Sequence, residues 1–158
     1  MVTEQGTLNA EYVVNAAGLW AREVGEMVGI TTPCHPMEHQ YLVTEDIPEV
    51  YERDAELPHV MDPACESYLR QEGRGLVLGV YEQACEHWAV DGTPWDFGHE
   101  LLPDKLERMM DKLGDAHARY PCLEVAGIKR IINGPFTFAP DGNPLVGPVP
   151  GLKNFWCA

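Results

Sequence analysis

The sequence is short of positive charge, of paired cysteines and of long apolar runs. Its 158 residues carry 11 Lys and Arg against 25 Asp and Glu, a formal charge of −14. That balance argues against nucleic acid and anionic membrane as partners, because both repel an acidic surface. No stretch reaches the roughly 18 apolar residues of a spanning helix. Residues 1–6 have neither the basic nor the apolar region of a signal peptide. Cys34, Cys65, Cys85, Cys122 and Cys157 are odd in number, scattered and without a C-x-x-C pair. This predicts reduced thiols in a cytoplasmic compartment, or the mitochondrial matrix in a eukaryote. There is no G-x-G-x-x-G, no G-x-S-x-G elbow and no apolar-flanked carboxylate pair of the glycosidase kind. Cys34, His35 and His39 sit among Pro33 and Pro36 without a second ligand group at zinc-like spacing, so no metal site is predicted.

What is present has the size and composition of an ordinary folded domain, with 45% hydrophobic residues to build a core. Residues 9–18 read as a short β-branched strand that runs into Asn15-Ala16-Ala17-Gly18. A helix then follows from Leu19 to about Val28, with Trp20, Glu23, Val24, Met27 and Val28 at helical spacing and Gly29 and Pro33 to end it. A strand, a small-residue turn and a helix bring backbone N–H groups close to a phosphate, or form nothing more than a tight connection.

Residues 38–45 predict a strand. Alternation puts His39, Tyr41 and Val43 on one face and Gln40, Leu42 and Thr44 on the other. His39 titrates near neutral pH, which suits either a reactive site or a satisfied core position. A polar loop is expected over 48–58 and a turn over 63–66. Residues 67–71 and 76–80 pair as a hairpin about Glu72-Gly73-Arg74-Gly75. Tyr68 and Arg70 share a face of that hairpin; a phenol beside a guanidinium can hold a small carboxylate, or the two are an ordinary surface pair.

After an aromatic loop over 88–98, a helix is predicted from Pro103 to about Tyr120, with Leu106, Met109, Met110, Leu113 and Tyr120 on its apolar face. A further strand covers 128–133. Residues 134–148 form a Gly- and Pro-rich loop carrying Phe136, Phe138, Leu145 and Val146, of the kind that wraps a ligand. Residues 151–158 enter an apolar strand and stop, so the chain is expected to be part of a longer protein.

Five stretches in order carry a resemblance. Tyr12-Val13-Val14-Asn15-Ala16-Ala17-Gly18-Leu19-Trp20-Ala21-Arg22-Glu23-Val24-Gly25 resembles the strand–turn–helix in the middle of the FAD-dependent amine oxidoreductases related to D-amino acid oxidase. His39-Gln40-Tyr41-Leu42-Val43-Thr44, Tyr68-Leu69-Arg70-Gln71-Glu72, Asn133-Gly134-Pro135 and residues 140–148 are similar to the dimethylglycine dehydrogenase and sarcosine dehydrogenase branch. The resemblance implies an α+β fold: a mixed, largely antiparallel substrate-domain sheet (34–132), flanked by parts of a Rossmann-like FAD domain (1–33 and 133–158).

It implies FAD as cofactor, a small N-methylated amino acid as substrate, and oxidation of an N-methyl group by hydride transfer. Tetrahydrofolate is an expected partner of a separate C-terminal domain that lies outside this chain. His39 and Tyr68 match positions at the substrate site in dimethylglycine-oxidising relatives. Ala17, Gly18 and Trp20 fall near the nucleotide, and Arg70 or Arg130 is the candidate for the substrate carboxylate. The family's N-terminal glycine-rich unit and its flavin-linking histidine have no counterpart here, so the chain alone is expected to hold FAD poorly and to be colourless. The alternatives are a non-catalytic binding or subunit module that keeps the fold, or a relative acting on sarcosine, a glycerol-phosphate-like compound or proline. The electron acceptor is not specified by the sequence.

Overall fold

The structure, a computed structural model, describes all 158 residues. In chain order the elements are β1 Val2–Thr3, β2 Gly6–Thr7, β3 Val13–Asn15, a 3-10 turn Gly18–Trp20 leading into α1 Ala21–Glu26, and β4 His35–Thr44. Then come α2 Pro48–Tyr51, β5 Val60–Asp62, β6 Ser67–Glu72 and β7 Gly75–Val80. A 3-10 turn Leu106–Met109 leads into α3 Met110–Arg119, followed by a turn Pro121–Leu123, β8 Ile128–Phe138, β9 Gly147–Pro148 and β10 Phe155–Cys157. The fold is α+β. It divides into one unit of residues 1–36, 87–97 and 136–158, and a second of 37–86 and 98–135.

The first unit is built on β3. Its β-branched Val13 and Val14 suit a strand, and β10 pairs with it in parallel, Phe155 opposite Val13 and Cys157 opposite Asn15. β9 closes the other side of β10 in antiparallel fashion. The chain leaves β3 through a turn held by one side chain: the Ala17 N–H donates to Asn15 Oδ1 at 3.3 Å, and Asn15 Nδ2 donates to the Ala21 carbonyl at 2.8 Å. Gly18 follows at φ +57°, a conformation a side chain would strain. Gly25 lets α1 lie on the segment after it, since a Cβ there would stand 2.3 Å from Thr32 Oγ1. The aromatic loop 87–97 belongs to this unit. The Thr93 N–H donates to Glu23 Oε1 at 2.7 Å, the Thr93 hydroxyl to the Leu19 carbonyl at 2.9 Å, and the Trp20 indole N–H to the Pro94 carbonyl at 3.0 Å.

The second unit is organised by a five-stranded sheet in the order β5-β6-β7-β4-β8. The hairpin of β6 and β7 turns at Gly73, φ +59°, with Glu72 opposite Gly75 and Ser67 opposite Val80. One face of the sheet supplies Leu42, Leu76, Leu78 and Val80 to a core completed by Met109, Leu113, Ala116 and Leu123 from the α3 region. Burying these side chains, at roughly 1.5–3 kcal/mol each, is the main stabilising term of this unit.

Several elements depart from the sequence expectations, each for a local reason. The predicted loop over 48–58 contains α2, started by Pro48 at its first position and anchored by buried Val50. β5 lies between Pro58 and Pro63, where the sequence specifies no element; it is the edge strand, where proline flanks are tolerated. The helix expected from Pro103 begins at Leu106. The backbone of Lys105 is clamped before it: its N–H donates to Gln40 Oε1 at 3.2 Å, and Gln40 Nε2 donates to its carbonyl at 2.8 Å. Met109 is fully buried whereas Met110, expected on the same apolar face, is 56% exposed. β8 runs on through Gly134-Pro135 to Phe138, where the sequence predicted a strand ending at 133 and a loop.

Candidate active site

β4 and β7 define a sheet face opposite to the helix-covered one. Tyr41 pairs with Gly79, and Gly79 with Tyr68 on the next strand, so the two tyrosines share that face with Gly79 between them. Gly79 exists as glycine because Tyr68 lies across it: a Cβ there would stand 1.9 Å from Tyr68 Cζ. Tyr81 lies at the end of β7. Its ring is 5.8 Å from that of Tyr68, centroid to centroid, and 6.4 Å from that of His39, at 27° to it. His39, Tyr81 and Tyr68 thus form one aromatic row, with Tyr81 the more open member at 43% exposure.

Gly79→Ala should push the Tyr68 ring off its seat and lower stability by about 1–3 kcal/mol, the usual cost of overpacking. Urea unfolding reads the loss and the Tyr68 ring resonances read the displacement; an unchanged Tyr68 environment would show that the seat is not specific.

The electrostatics of the row are set by burial and by one buried charge network. Burial pushes the His39 imidazole below its usual value, Glu82 pulls it back up and Arg108 pushes it down. Burial raises the Tyr68 phenol, the neighbouring Tyr81 and Tyr41 raise it further, and Arg70 opposes them. His39 is therefore a neutral imidazole and Tyr68 a neutral phenol near pH 7, the first able to accept a proton and the second to donate a hydrogen bond.

Behind His39, Arg108 Nε donates to Glu82 Oε2 at 2.7 Å and Arg108 Nη1 to Glu38 Oε2 at 3.0 Å. Glu38 also accepts from Lys105 Nζ and from Asn133 Nδ2, each at 3.0 Å. Burial raises the Glu38 carboxyl, but the Asn133 and Lys105 hydrogen bonds and the charges of Lys105 and Arg108 bring it below the ordinary range. Ligand atoms of His39, Glu82 and Cys85 lie within 4.8 Å of one another. A cation there would face the guanidinium already bonded to Glu82, so the cluster has the character of an ion-pair network.

The sequence-predicted residues divide clearly. His39 and Tyr68 come together through Tyr81. Arg70 is on the Tyr68 face, opposite Val77, but its guanidinium is engaged with Glu72 Oε2 at 2.5 Å and the Gln71 carbonyl at 3.2 Å. Arg130 is exposed on β8 and lines a separate cleft with Thr44, Asp46, Glu72, Arg74 and Lys129. In the first unit Gly18 lines a cleft of about 230 Å³ with Asn15, Ala21, Thr32, Thr137 and Ala158. Ala17 and Trp20 are not among its lining residues, and the Trp20 N–H is committed to Pro94.

That cleft suits part of a dinucleotide. Its small residues leave room, nothing lies within 4 Å of where a Gly18 Cβ would be, and the buried Thr137 hydroxyl that lines it has no hydrogen-bond partner. Its volume falls below the roughly 300–1,000 Å³ of a pocket that encloses a drug-sized ligand, so it has room for a segment of such a molecule rather than the whole. Tyr81, Glu82, Arg108 and Asn133 were not anticipated as site residues. Only Tyr81 follows from strand pairing: the β4/β7 register, extended two pairs beyond Tyr41 and Gly79, brings residue 81 opposite His39.

Comparison with known proteins agrees with this architecture. The chain is 44% identical to dimethylglycine dehydrogenase, mitochondrial, of Homo sapiens over 161 residues, covering 99% of this chain and 19% of that protein. It is 36% identical to the sarcosine dehydrogenase, mitochondrial, of the same organism, covering 98% of this chain and 16% of the relative. The structure of L-proline dehydrogenase from P. horikoshii superposes with a TM-score of 0.72 at 25% identity, covering 98% of this chain and 38% of that one. The chain thus spans about a fifth of the curated relatives it matches. No helix is long and apolar enough to cross a membrane. The FAD dependent oxidoreductase family matches residues 1–158 without a break, and the chain belongs to it.

Proposed function

We propose that this chain supplies the substrate face, and a small part of the nucleotide cradle, of an FAD-dependent enzyme that oxidises the N-methyl group of dimethylglycine or a sarcosine-type amine. The observation that carries this reading is the row of His39, Tyr81 and Tyr68, a neutral imidazole and a neutral phenol joined across one sheet face. FAD, when bound, would supply the hydride acceptor. Asn15, Gly18, Ala21 and Thr137 are the residues of this chain suited to lie against it.

The chain's own residues have two tasks. An N-methylated amino acid arrives as an ammonium, whose nitrogen has no lone pair to support loss of hydride from the methyl carbon. His39 takes the N–H proton onto its unprotonated ring nitrogen, the N–H bond breaks, and the electron pair stays on the amine. Tyr68 donates a hydrogen bond that orients the substrate, and the Tyr81 ring gives an apolar, electron-rich wall for the methyl groups and for positive charge that returns to nitrogen as hydride leaves. Arg70 would need to exchange Glu72 for the substrate carboxylate; Arg130, on its separate cleft, is the weaker candidate. Tetrahydrofolate belongs to the proposal only through segments outside this chain; the named relatives are mitochondrial, which supports a mitochondrial place for this chain.

The test is a chimera in which this chain replaces its matching stretch of the human dimethylglycine dehydrogenase. The chimera should retain flavin, and dimethylglycine should bleach it anaerobically faster than sarcosine or proline. Retained flavin without bleaching by any N-methylated amino acid would overturn the reading in favour of a non-catalytic module.

A further inference from the structure

Glu82 sits just past β7, and its side chain is 2% exposed. Its two oxygens have different surroundings. Oε2 accepts from Arg108 Nε at 2.7 Å, whereas Oε1 has no hydrogen-bond partner and lies 3.8 Å from His39 Nδ1. A buried carboxylate oxygen left without a donor is costly, by about 1–3 kcal/mol or more, and natural sites rarely retain one without use. The spacing is longer than a hydrogen bond, as is common for such pairs before a substrate is bound. Glu82 is itself held in place. Its backbone carbonyl accepts from Cys85 Sγ at 3.4 Å, and Arg108 ties its carboxylate to Glu38.

We propose that Glu82 is the positioning residue of His39: its Oε1 keeps the imidazole proton on Nδ1 and so leaves Nε2 as the nitrogen with the lone pair. The proposal rests on the reading of His39 as the proton acceptor, and it explains how a buried neutral imidazole keeps one defined tautomer. Without a partner on Nδ1 the two tautomers would compete, and a fraction of the protein would present an N–H where the substrate ammonium also presents one. Arg108 has the complementary role. It neutralises Glu82, so the carboxylate orients the ring without holding it as an imidazolium.

Titratable and charged groups that face His39 include Tyr81, Glu82 and Cys85 from the stretch after β7, and Arg108 from the turn before α3; Tyr41 follows on its own strand, and Tyr68 stands beyond Tyr81. Glu82 is the carboxylate whose charge acts on the ring.

The experiment reads the ring nitrogens of His39 in the ¹⁵N-labelled 158-residue chain, without substrate or flavin. Above its titration, His39 should show a protonated Nδ1 and a bare Nε2. In Glu82→Gln the tautomer ratio should shift by about tenfold or more, the worth of one charge-assisted hydrogen bond, and the His39 titration should move to lower pH. Glu82→Asp should restore part of both. A wild-type ring protonated on Nε2 would overturn the proposal without any substitution, so it stays testable even if Glu82→Gln fails to fold. A folded Glu82→Gln with unchanged tautomer and titration would overturn it equally. Neither readout involves turnover, so loss of this proposal and loss of the proton-acceptor role of His39 are separate results.

Discussion

His39→Ala in the chimera should slow single-turnover flavin reduction by dimethylglycine by about 10²- to 10⁴-fold, the span expected for loss of a positioned proton acceptor. Tyr68→Phe should slow it less, since it removes one hydrogen bond and keeps the ring over Gly79. The pH dependence adds a sign. In the proposed role the active form is the neutral imidazole, and burial, with Arg108, holds His39 below its ordinary value of about 6.5. The rate should therefore stay level as pH falls through 6.5 and drop only as it passes the lowered value. The alanine variant should lose that acid limb, retaining whatever slope the substrate amine imposes. Stopped-flow flavin bleaching across pH measures both. Unchanged rates for His39→Ala and Tyr68→Phe would remove the aromatic row from the chemistry, and an acid limb above 6.5 would assign the proton acceptor to another group.

The parts of this site that could be read from the sequence are those fixed by short-range periodicity. The turn Glu72-Gly73-Arg74-Gly75 sets the β6/β7 register, and strand alternation then puts Tyr68 and Arg70 on one face. The same alternation aligns His39 with Tyr41. What periodicity does not carry is which residue comes to lie beside His39 from elsewhere. Glu82 and Arg108 meet through the packing of the α3 region on the sheet, and nothing in either local sequence marks them. The late start of the helix has the same origin: Pro103 is a good helix beginning by its chemistry, yet the buried Gln40 amide takes the backbone of Lys105 first. Arg70 shows the limit from the other direction. Its face was legible, but its engagement with Glu72, two residues along the same strand, was not, because two exposed-looking polar residues give no sign of which partner each will choose.

The Arg108 network should also dominate the stability of its unit. Arg108 is 12% exposed and bonds two carboxylates, Glu82 at 2% and Glu38 at 11%. Glu38 would keep Lys105 and Asn133 if the guanidinium were removed; Glu82 would be left buried with no donor on either oxygen. Arg108→Met keeps most of the side-chain volume and removes the charge, so it isolates that electrostatic loss. It should destabilise the chain by about 3–5 kcal/mol, the usual result of breaking a buried pair from one side, which is a large share of the roughly 5–15 kcal/mol that holds a domain together. Arg74→Ala, which breaks an exposed pair with Asp46, should move the urea midpoint far less. The double variant Glu82→Gln/Arg108→Met should be less destabilised than Arg108→Met alone, because it removes the stranded carboxylate together with its partner. Urea unfolding with an unchanged slope measures all three. A double variant as unstable as the sum of its singles would mean that Glu82 and Arg108 act independently, and that the carboxylate beside His39 is not governed by the guanidinium behind it.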